Sequence, residues 1–180
     1  MKATRSLLAA MVFGTVIGAS QANAQTSCGG IGSCAQTNTA SVAVGALVKM
    51  TMSSLTTALT SPTADDIDLG ALLVDAGPTF TVKANRSWTL KIKTTNSPSW
   101  TYAGGNAGVK PISDLAWGLT SGGSFTAITA SDVTFTNGAA ASNGTAVAAF
   151  FRTTWINDFA SAANREGTYS LPIVFTLSAP

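Results

Sequence analysis

The chain has 180 residues, of which 46% are hydrophobic and only 10% are charged, and it contains no histidine. Soluble domains carry roughly 25% charged residues, so the polarity of this surface must have another source. That source is 19 Ser and 26 Thr residues, a composition that favours a secreted β-protein. Without histidine, a Ser-His-Asp triad, a Cys-His dyad and a His-ligated zinc site are excluded.

The first 24 residues have the three parts of a secretory signal peptide. Lys2 and Arg5 give a positive start, residues 7–17 are apolar, and residues 22–24 (Ala-Asn-Ala) form a small-x-small cleavage site. A transmembrane anchor needs about 20 unbroken apolar residues, and this run breaks at Gly18. Cleavage reduces ten basic residues to eight, equal to the eight acidic ones. We therefore predict a periplasmic, cell-surface or extracellular protein with no nucleic-acid partner and no membrane span.

Residues 25–38 form a leader that contains both cysteines of the chain. Cys28 and Cys34 are separated by a glycine-rich stretch. In an oxidising compartment this spacing predicts a small disulfide loop. Because the loop precedes the expected core, we expect it to stiffen or protect the leader.

Period-two alternation dominates the rest of the chain. Residues 79–84, 88–93, 147–155 and 169–177 each place apolar side chains at every second position. Such positions share one face of a strand, so each stretch predicts one buried and one exposed face, as in antiparallel sheets. We expect eight to ten strands, near residues 40–49, 50–59, 67–74, 78–84, 87–95, 112–119, 124–129, 132–136, 145–155 and 168–178.

Turn residues separate these strands at short intervals, and no long amphipathic helix follows residue 24. Residues 115–119 and 124–128 flank Ser-Gly-Gly and predict a hairpin. Ser61 and Pro62 predict a short helical turn, with Ser61 as N-cap and Pro62 at its first position. The fold class is therefore all-β, and residues 39–180 predict an antiparallel, immunoglobulin-like β-sandwich. A closed barrel is the alternative.

The acidic residues give little support to an enzyme. Asp65, Asp66 and Asp68 form one cluster, which is suited either to a helix start or to calcium, but the EF-hand spacing is absent. Glu166 is the only glutamate, and no pair of carboxylates stands out for glycoside hydrolysis. We predict no catalytic residue, no metal site and no cofactor.

Aromatic residues divide into a core set and one loop pair. Trp100 and Tyr102 lie in a loop-like Ser/Pro/Gly-rich stretch, where an exposed ring can stack on the apolar face of a sugar. The favoured alternative is that Trp100 folds back onto the domain as a core residue. By parity, the aromatic residues predicted for the core are Phe80, Trp88, Trp117, Phe125, Phe151, Trp155, Tyr169 and Phe175.

The last 16 residues, REGTYSLPIVFTLSAP, have a Gly-x-Tyr entry followed by alternating apolar residues. This strand resembles the closing strand of secreted bacterial immunoglobulin-like modules, including spore-coat-U-like proteins and chaperone–usher pilins. It differs from pilins at Ala179, where they have an aromatic residue, and in the short Cys28–Cys34 spacing. In pilins this strand is covered by a chaperone and then by the N-terminal extension of the next subunit. The resemblance therefore implies β-augmentation, here at Tyr169, Leu171, Ile173, Phe175 and Leu177.

We therefore expect a secreted, non-enzymatic surface or extracellular structural protein that associates with itself, or with another surface protein, through an edge strand. Weak net charge makes association easy, and open strand edges provide the means. The segment TASVAVGALVKM (residues 39–50) is a candidate donated strand because Val42, Val44 and Ala46 alternate. Its alternative is an ordinary first strand. A fimbrial subunit and a carbohydrate-binding module, with glycan as partner, are the alternative functions.

Overall fold

The structure is a computed structural model that describes residues 29–180. The predicted signal peptide and Cys28 lie outside this part. The chain divides into a short unit that ends at Ala43 and a larger unit, Val44–Pro180. Residues 29–47 are exposed and belong to no helix or strand. The predicted start of the domain at residue 39 precedes the larger unit by a few residues.

The larger unit is all-β, and every strand pair is antiparallel, which confirms the predicted fold class. The described residues form ten strands: β1 (Val48–Met52), β2 (Leu72–Ala84), β3 (Trp88–Thr94), β4 (Thr101–Ala103), β5 (Leu115–Gly118), β6 (Thr126–Ala127), β7 (Val133–Gly138), β8 (Ser142–Thr154), β9 (Thr168–Ser170) and β10 (Ile173–Ser178).

These strands form three sheets. A five-stranded sheet has the order β1-β2-β8-β5-β6, a three-stranded sheet has the order β10-β3-β7, and β4 pairs with β9. The predicted hairpin is present, since Ala116 pairs with Ala127 and Trp117 with Thr126. The two larger sheets therefore end in β1 and β6, and in β10 and β7, respectively.

The core lies between the two larger sheets. Phe80 and Val82 of β2 and Leu90 of β3 are fully buried, each on the apolar side that the alternation predicts. The Phe80 ring centroid lies 5.9 Å from that of Phe135 in β7 and 4.4 Å from that of Phe175 in β10. Aromatic side chains from both sheets therefore meet in one cluster.

Six of the eight predicted core aromatics belong to the core cluster or pack against it, whereas the prediction is wrong for Phe125 and Trp155, whose rings lie against Arg152 and Lys110, respectively. Phe80, Trp88, Trp117 and Phe151 are buried. The others, namely Phe125, Trp155, Tyr169 and Phe175, are half-buried.

Several predicted element bounds are wrong. Residues 40–49 and 50–59 do not form two strands, because β1 is the only strand before residue 72 in the described part of the chain. The helical turn exists as α1 (Ala64–Leu69), but its N-cap is Thr63 and not Ser61. The Thr63 side chain accepts a hydrogen bond from Asp66 N–H, and the Asp66 carboxylate accepts one from Thr63 N–H, which forms a capping box.

The predicted last strand, residues 168–178, is two strands with different partners. β9 pairs with β4, whereas β10 pairs with β3. The change of partner falls at Leu171 and Pro172, and proline has no N–H to donate to a sheet ladder. The alternation still holds across the break, because Tyr169, Leu171 and β10 residues at odd positions all pack against the core.

Candidate functional site

The feature that distinguishes this fold is a pair of edge strands that approach each other without pairing. β1 is bonded to β2 and β10 to β3, each on one side only within residues 29–180. The two strands are close in space, yet no ladder joins them. An edge strand presents unpaired N–H and C=O groups, so the backbone here can accept another strand.

A groove of about 900 Å³ lies beside these edges. Met52 of β1 and Ile173 and Phe175 of β10 line it, together with residues 54–62 on one wall and residues 164–172 on the other. Buried side chains at its base are Trp100, Lys110, Leu115, Phe151 and Thr153. The groove is thus apolar along most of its length and is continuous with the hydrophobic core.

The apolar residues of β10 are only partly covered by the protein itself. Ile173, Phe175 and Leu177 pack against the core, but none of them is fully buried. In contrast, Leu90 and Ile92 of the neighbouring β3 are 0% and 1% exposed. The difference arises because β3 has a partner on each side, whereas β10 has one.

The candidate donated segment is exposed. Val42 and Val44 are 89% and 70% exposed, and the segment that contains them lies outside any helix or strand. In an extended strand, side chains two positions apart lie on the same face, so Val42 and Val44 would face one surface together. Both side chains are therefore available for burial against another surface.

Asn85, in the turn between β2 and β3, holds the chain just before β1. Its side-chain oxygen accepts a hydrogen bond from Leu47 N–H at 2.8 Å, its Nδ2 donates to the Gly45 carbonyl at 2.8 Å, and its backbone N–H donates to the Leu47 carbonyl at 3.2 Å. Ala46 lies inside this clamp. The residues free to leave the domain therefore end at Val44.

Sequence reasoning did not identify Lys110, whose side chain is 1% exposed at the base of the groove. Its ammonium donates to the Thr154 carbonyl at 2.6 Å, forms an ion pair with Asp114 at 3.2 Å and lies 4.0 Å from the centroid of the Trp155 ring. Burial lowers the pKa of Lys110, and Asp114 partly opposes that shift. The i, i+4 spacing of Lys110 and Asp114 was the only signal of this pair in the sequence.

Some hydrogen-bonding capacity of the groove is unused by the described residues. Thr153 Oγ1, Trp155 Nε1 and Asn164 Oδ1 are buried without a hydrogen-bond partner, and all three residues line the groove. Buried polar groups are normally satisfied. These atoms thus mark the polar part of an otherwise apolar surface.

The structure places Trp100 in the core, as the alternative favoured from the sequence states. It is 8% exposed, and its Nε1 donates to the Pro111 carbonyl at 2.9 Å. Tyr102 is half-buried, with its ring 5.0 Å from that of Tyr169 and its hydroxyl donating to the Glu166 carbonyl. Neither ring therefore stands out from an exposed loop.

The acidic cluster has a structural role at α1. Asp66 accepts hydrogen bonds from the backbone N–H and the hydroxyl of Thr63, which lower the pKa of its carboxyl. Among residues 29–180, no three His, Cys, Asp or Glu side chains are grouped in a way that suits a metal ion. No helix within the same range is long and apolar enough to span a membrane. Cys34 is not a free thiol, and its bridge to Cys28 stays a prediction because Cys28 lies outside the described residues.

Comparison of the sequence with protein-family models and with curated proteins gives no match. The functional interpretation therefore depends on the geometry of the groove and of the segment before β1.

Proposed function

We propose that this chain is a secreted, non-enzymatic structural protein that assembles with copies of itself by strand donation. Residues 39–44, the donor segment, insert beside β10 of a second copy. The observation that carries this proposal is the groove between two unpaired edges, whose apolar β10 residues remain half-buried. The signal-peptide pattern supports secretion.

The donor segment fits the groove in length. β10 has six residues, and so does the segment, which spans about 20 Å when extended. β10 lines the groove at Ile173 and Phe175, and a strand of that length is long enough to run past both residues. Its backbone supplies the hydrogen bonds that the edge lacks.

The donor segment also fits in chemistry. Val42 and Val44 would share the face that meets Ile173 and Phe175. No residue from 25 to 48 is charged, so insertion of the donor segment buries no charged side chain. Burial of an unpaired charge would oppose binding strongly. Burying apolar surface contributes about 25 cal/mol per Å², so two valines at a core-continuous groove give a substantial driving force.

The resemblance to spore-coat-U-like proteins and pilins agrees with this function. Both contain immunoglobulin-like sandwiches, and pilins complete theirs with the extension of a neighbour. A fimbrial subunit of the chaperone–usher type is therefore the specific form of the proposal. Genes for a chaperone and an usher beside this one would support that form, and their absence would leave assembly without an usher.

A glycan-binding role has less support from the structure. Sugar stacking needs an aromatic face open to solvent, whereas Trp100 is 8% exposed. Adhesion through strand donation needs no such ring.

The test is assembly of the purified mature chain, measured by size-exclusion chromatography with light scattering and by electron microscopy. Wild type should form oligomers or fibres at micromolar concentration. Val42→Asp/Val44→Asp should remain monomeric, because each carboxylate would enter an apolar groove. The control, Ala43→Asp, places a carboxylate on the opposite face of the segment and should assemble.

A synthetic peptide of residues 37–46 provides a second measurement. It should compete with the donor segment and shorten the oligomers, whereas the peptide with Asp at positions 42 and 44 should not. A compact wild-type monomer at all concentrations, or equal assembly of Val42→Asp/Val44→Asp and Ala43→Asp, would show that strand donation is wrong.

A further inference from the structure

The domain has two ends that differ in charge. At the turn end lies the β2–β3 turn, where Val48 is opposite Ala84 and Ser178 is opposite Thr89. At the loop end lie α1, the start of β2 and the residues after β8. β2 alone has 13 residues, so the ends are about 40 Å apart.

The turn end is basic. Lys49 and Lys83 are directly opposite each other in the β1–β2 register, and Arg86 occupies the neighbouring turn. All three side chains are exposed. The segments that meet at this end, residues 44–49, 82–89, 137–143 and 177–180, contain no aspartate or glutamate.

The loop end is acidic. Two of its cations are already neutralised, because Lys110 pairs with Asp114 and Lys93 with Asp132 at 3.1 Å. Arg152, opposite Val74 near the start of β2, and Arg165 are the other cations of this end. Against them stand six carboxylates outside these pairs: Asp65, Asp66, Asp68, Asp75, Asp158 and Glu166.

The charges of the two ends act independently of each other. The screening length is about 8 Å at physiological ionic strength, far less than the length of β2. A chain that is formally neutral after the predicted signal cleavage thus carries a basic pole and an acidic pole, and a second copy meets one pole at a time.

The point where the donor segment leaves the domain and the groove lie at the same two ends as the charges. The Asn85 clamp, where the donor segment leaves, is at the turn end. The walls of the groove, residues 54–62 and 164–172, are at the loop end. Insertion of a donor segment therefore brings the basic end of one copy toward the acidic end of the next.

From this coincidence we infer that charge steers copies of this chain into head-to-tail order before the strand inserts. The partner is a second copy, and its recognised surface is the acidic loop end. This steering rests on the proposed strand donation but adds a separate step. Complementary charge raises association rates by 10-fold to about 1,000-fold and loses this effect in salt.

The experiment measures the initial rate of assembly by light scattering at about 20 mM and about 500 mM NaCl, which give long and short screening lengths. Wild type should assemble about ten-fold faster at low salt. Lys83→Glu/Arg86→Glu should assemble slowly at low salt and lose the salt dependence. Asp65→Lys/Asp68→Lys should do the same from the opposite end.

The decisive variant combines the four reversals with Lys49→Glu and Asp158→Lys in one chain. The turn end then changes from three positive to three negative charges, and the loop end from a net charge of −4 to +2 outside the two ion pairs. The poles are exchanged but again complementary, so a fast, salt-sensitive rate should return. If the single-end variants were slow because their folds were damaged, the damage would accumulate in this variant and the rate would not recover. Thermal unfolding followed by circular dichroism confirms that each variant is folded.

Two outcomes separate this inference from strand donation. If the reversals leave the rate unchanged while Val42→Asp/Val44→Asp blocks assembly, steering is wrong and strand donation stands. If assembly is salt-sensitive and is restored by the six reversals, yet Val42→Asp/Val44→Asp assembles normally, the poles bind each other and strand donation is wrong. Wild type that stays monomeric at both salt concentrations overturns both.

Discussion

Replacing Lys110 by methionine tests whether the buried ion pair at the base of the groove stabilises the domain. Lys110→Met keeps most of the side-chain volume but removes the ammonium. The Asp114 side chain, which is 15% exposed, and the Thr154 carbonyl then lose their partner. Removing one member of a buried pair typically costs about 3–5 kcal/mol. We expect a loss near the lower bound, about 3 kcal/mol, because Asp114 keeps some contact with water.

The assay is urea unfolding of Lys110→Met, with Lys91→Met as the matched control. Lys91 lies on the outer side of β3, where a substitution should change stability by at most about 0.5 kcal/mol. The double variant Lys110→Met/Asp114→Leu removes both charges, so most of the lost stability should return. A Lys110→Met variant as stable as Lys91→Met would refute the reasoning.

The pH dependence of Lys110 gives an independent measurement. Its pKa is lowered in the folded protein, chiefly by burial, from a usual value of 10.5. Between the folded and unfolded pKa values the unfolded chain binds more protons, so the free energy of unfolding rises with pH. We expect wild type to gain stability relative to Lys110→Met as the pH rises toward 10.5.

Two further substitutions test local packing. Gly167 has a φ of +153°, and a Cβ there would lie 2.5 Å from the Tyr102 ring and 2.7 Å from the Ala103 carbonyl oxygen. Gly167→Ala should therefore lower the free energy of unfolding in urea by about 1–3 kcal/mol. The control Gly122→Ala, whose Cβ would meet nothing within 4 Å, should leave stability unchanged, and equal effects of the two substitutions would contradict this prediction. Thr63→Ala removes one of the hydrogen bonds that lower the pKa of Asp66, so an NMR titration should show a higher Asp66 pKa than in wild type. On acidification the variant should begin to lose stability at a higher pH than wild type does. An unchanged Asp66 pKa would show that the capping box contributes little.

The sequence predicted the strands that carry strong alternation and failed where alternation was weak. β3, β8, β10 and residues 79–84 of β2 bury the predicted faces because a one-residue slip would turn apolar side chains to solvent. The predicted strand 67–74 is wrong, because its first residues belong to α1 and β2 begins at Leu72. Residues 53–62 contain scattered Ser and Thr with Leu55 and Leu59, and they form the wall of a groove instead of a strand. Periodicity alone does not distinguish such a wall from an edge strand.

The candidate site was predicted only in part, because it depends on non-local pairing. Alternation predicted that the odd-numbered residues from 169 to 177 share one face, and these residues all pack against the core. The opposite wall, the Asn85 clamp and the Lys110–Asp114 pair join residues that are distant in the chain or have no periodic signal. Likewise, Tyr102 and Tyr169 meet because β4 pairs with β9. The sequence of neither strand indicates which strand it pairs with.

The Asn85 clamp determines the type of assembly that strand donation can produce. Because Gly45 and Leu47 are held at the turn end, the chain leaves the larger unit toward the donor segment at the end opposite the walls of the groove. An interface between two different surfaces is heterologous, so it propagates from copy to copy unless the copies close into a ring, of which reciprocal exchange between two copies is the smallest. Each copy that donates its segment still offers its own groove, and each filled groove leaves another segment free at the opposite end. Growth by strand donation is therefore linear and unlimited in length, unless the rotation between copies closes it into a ring.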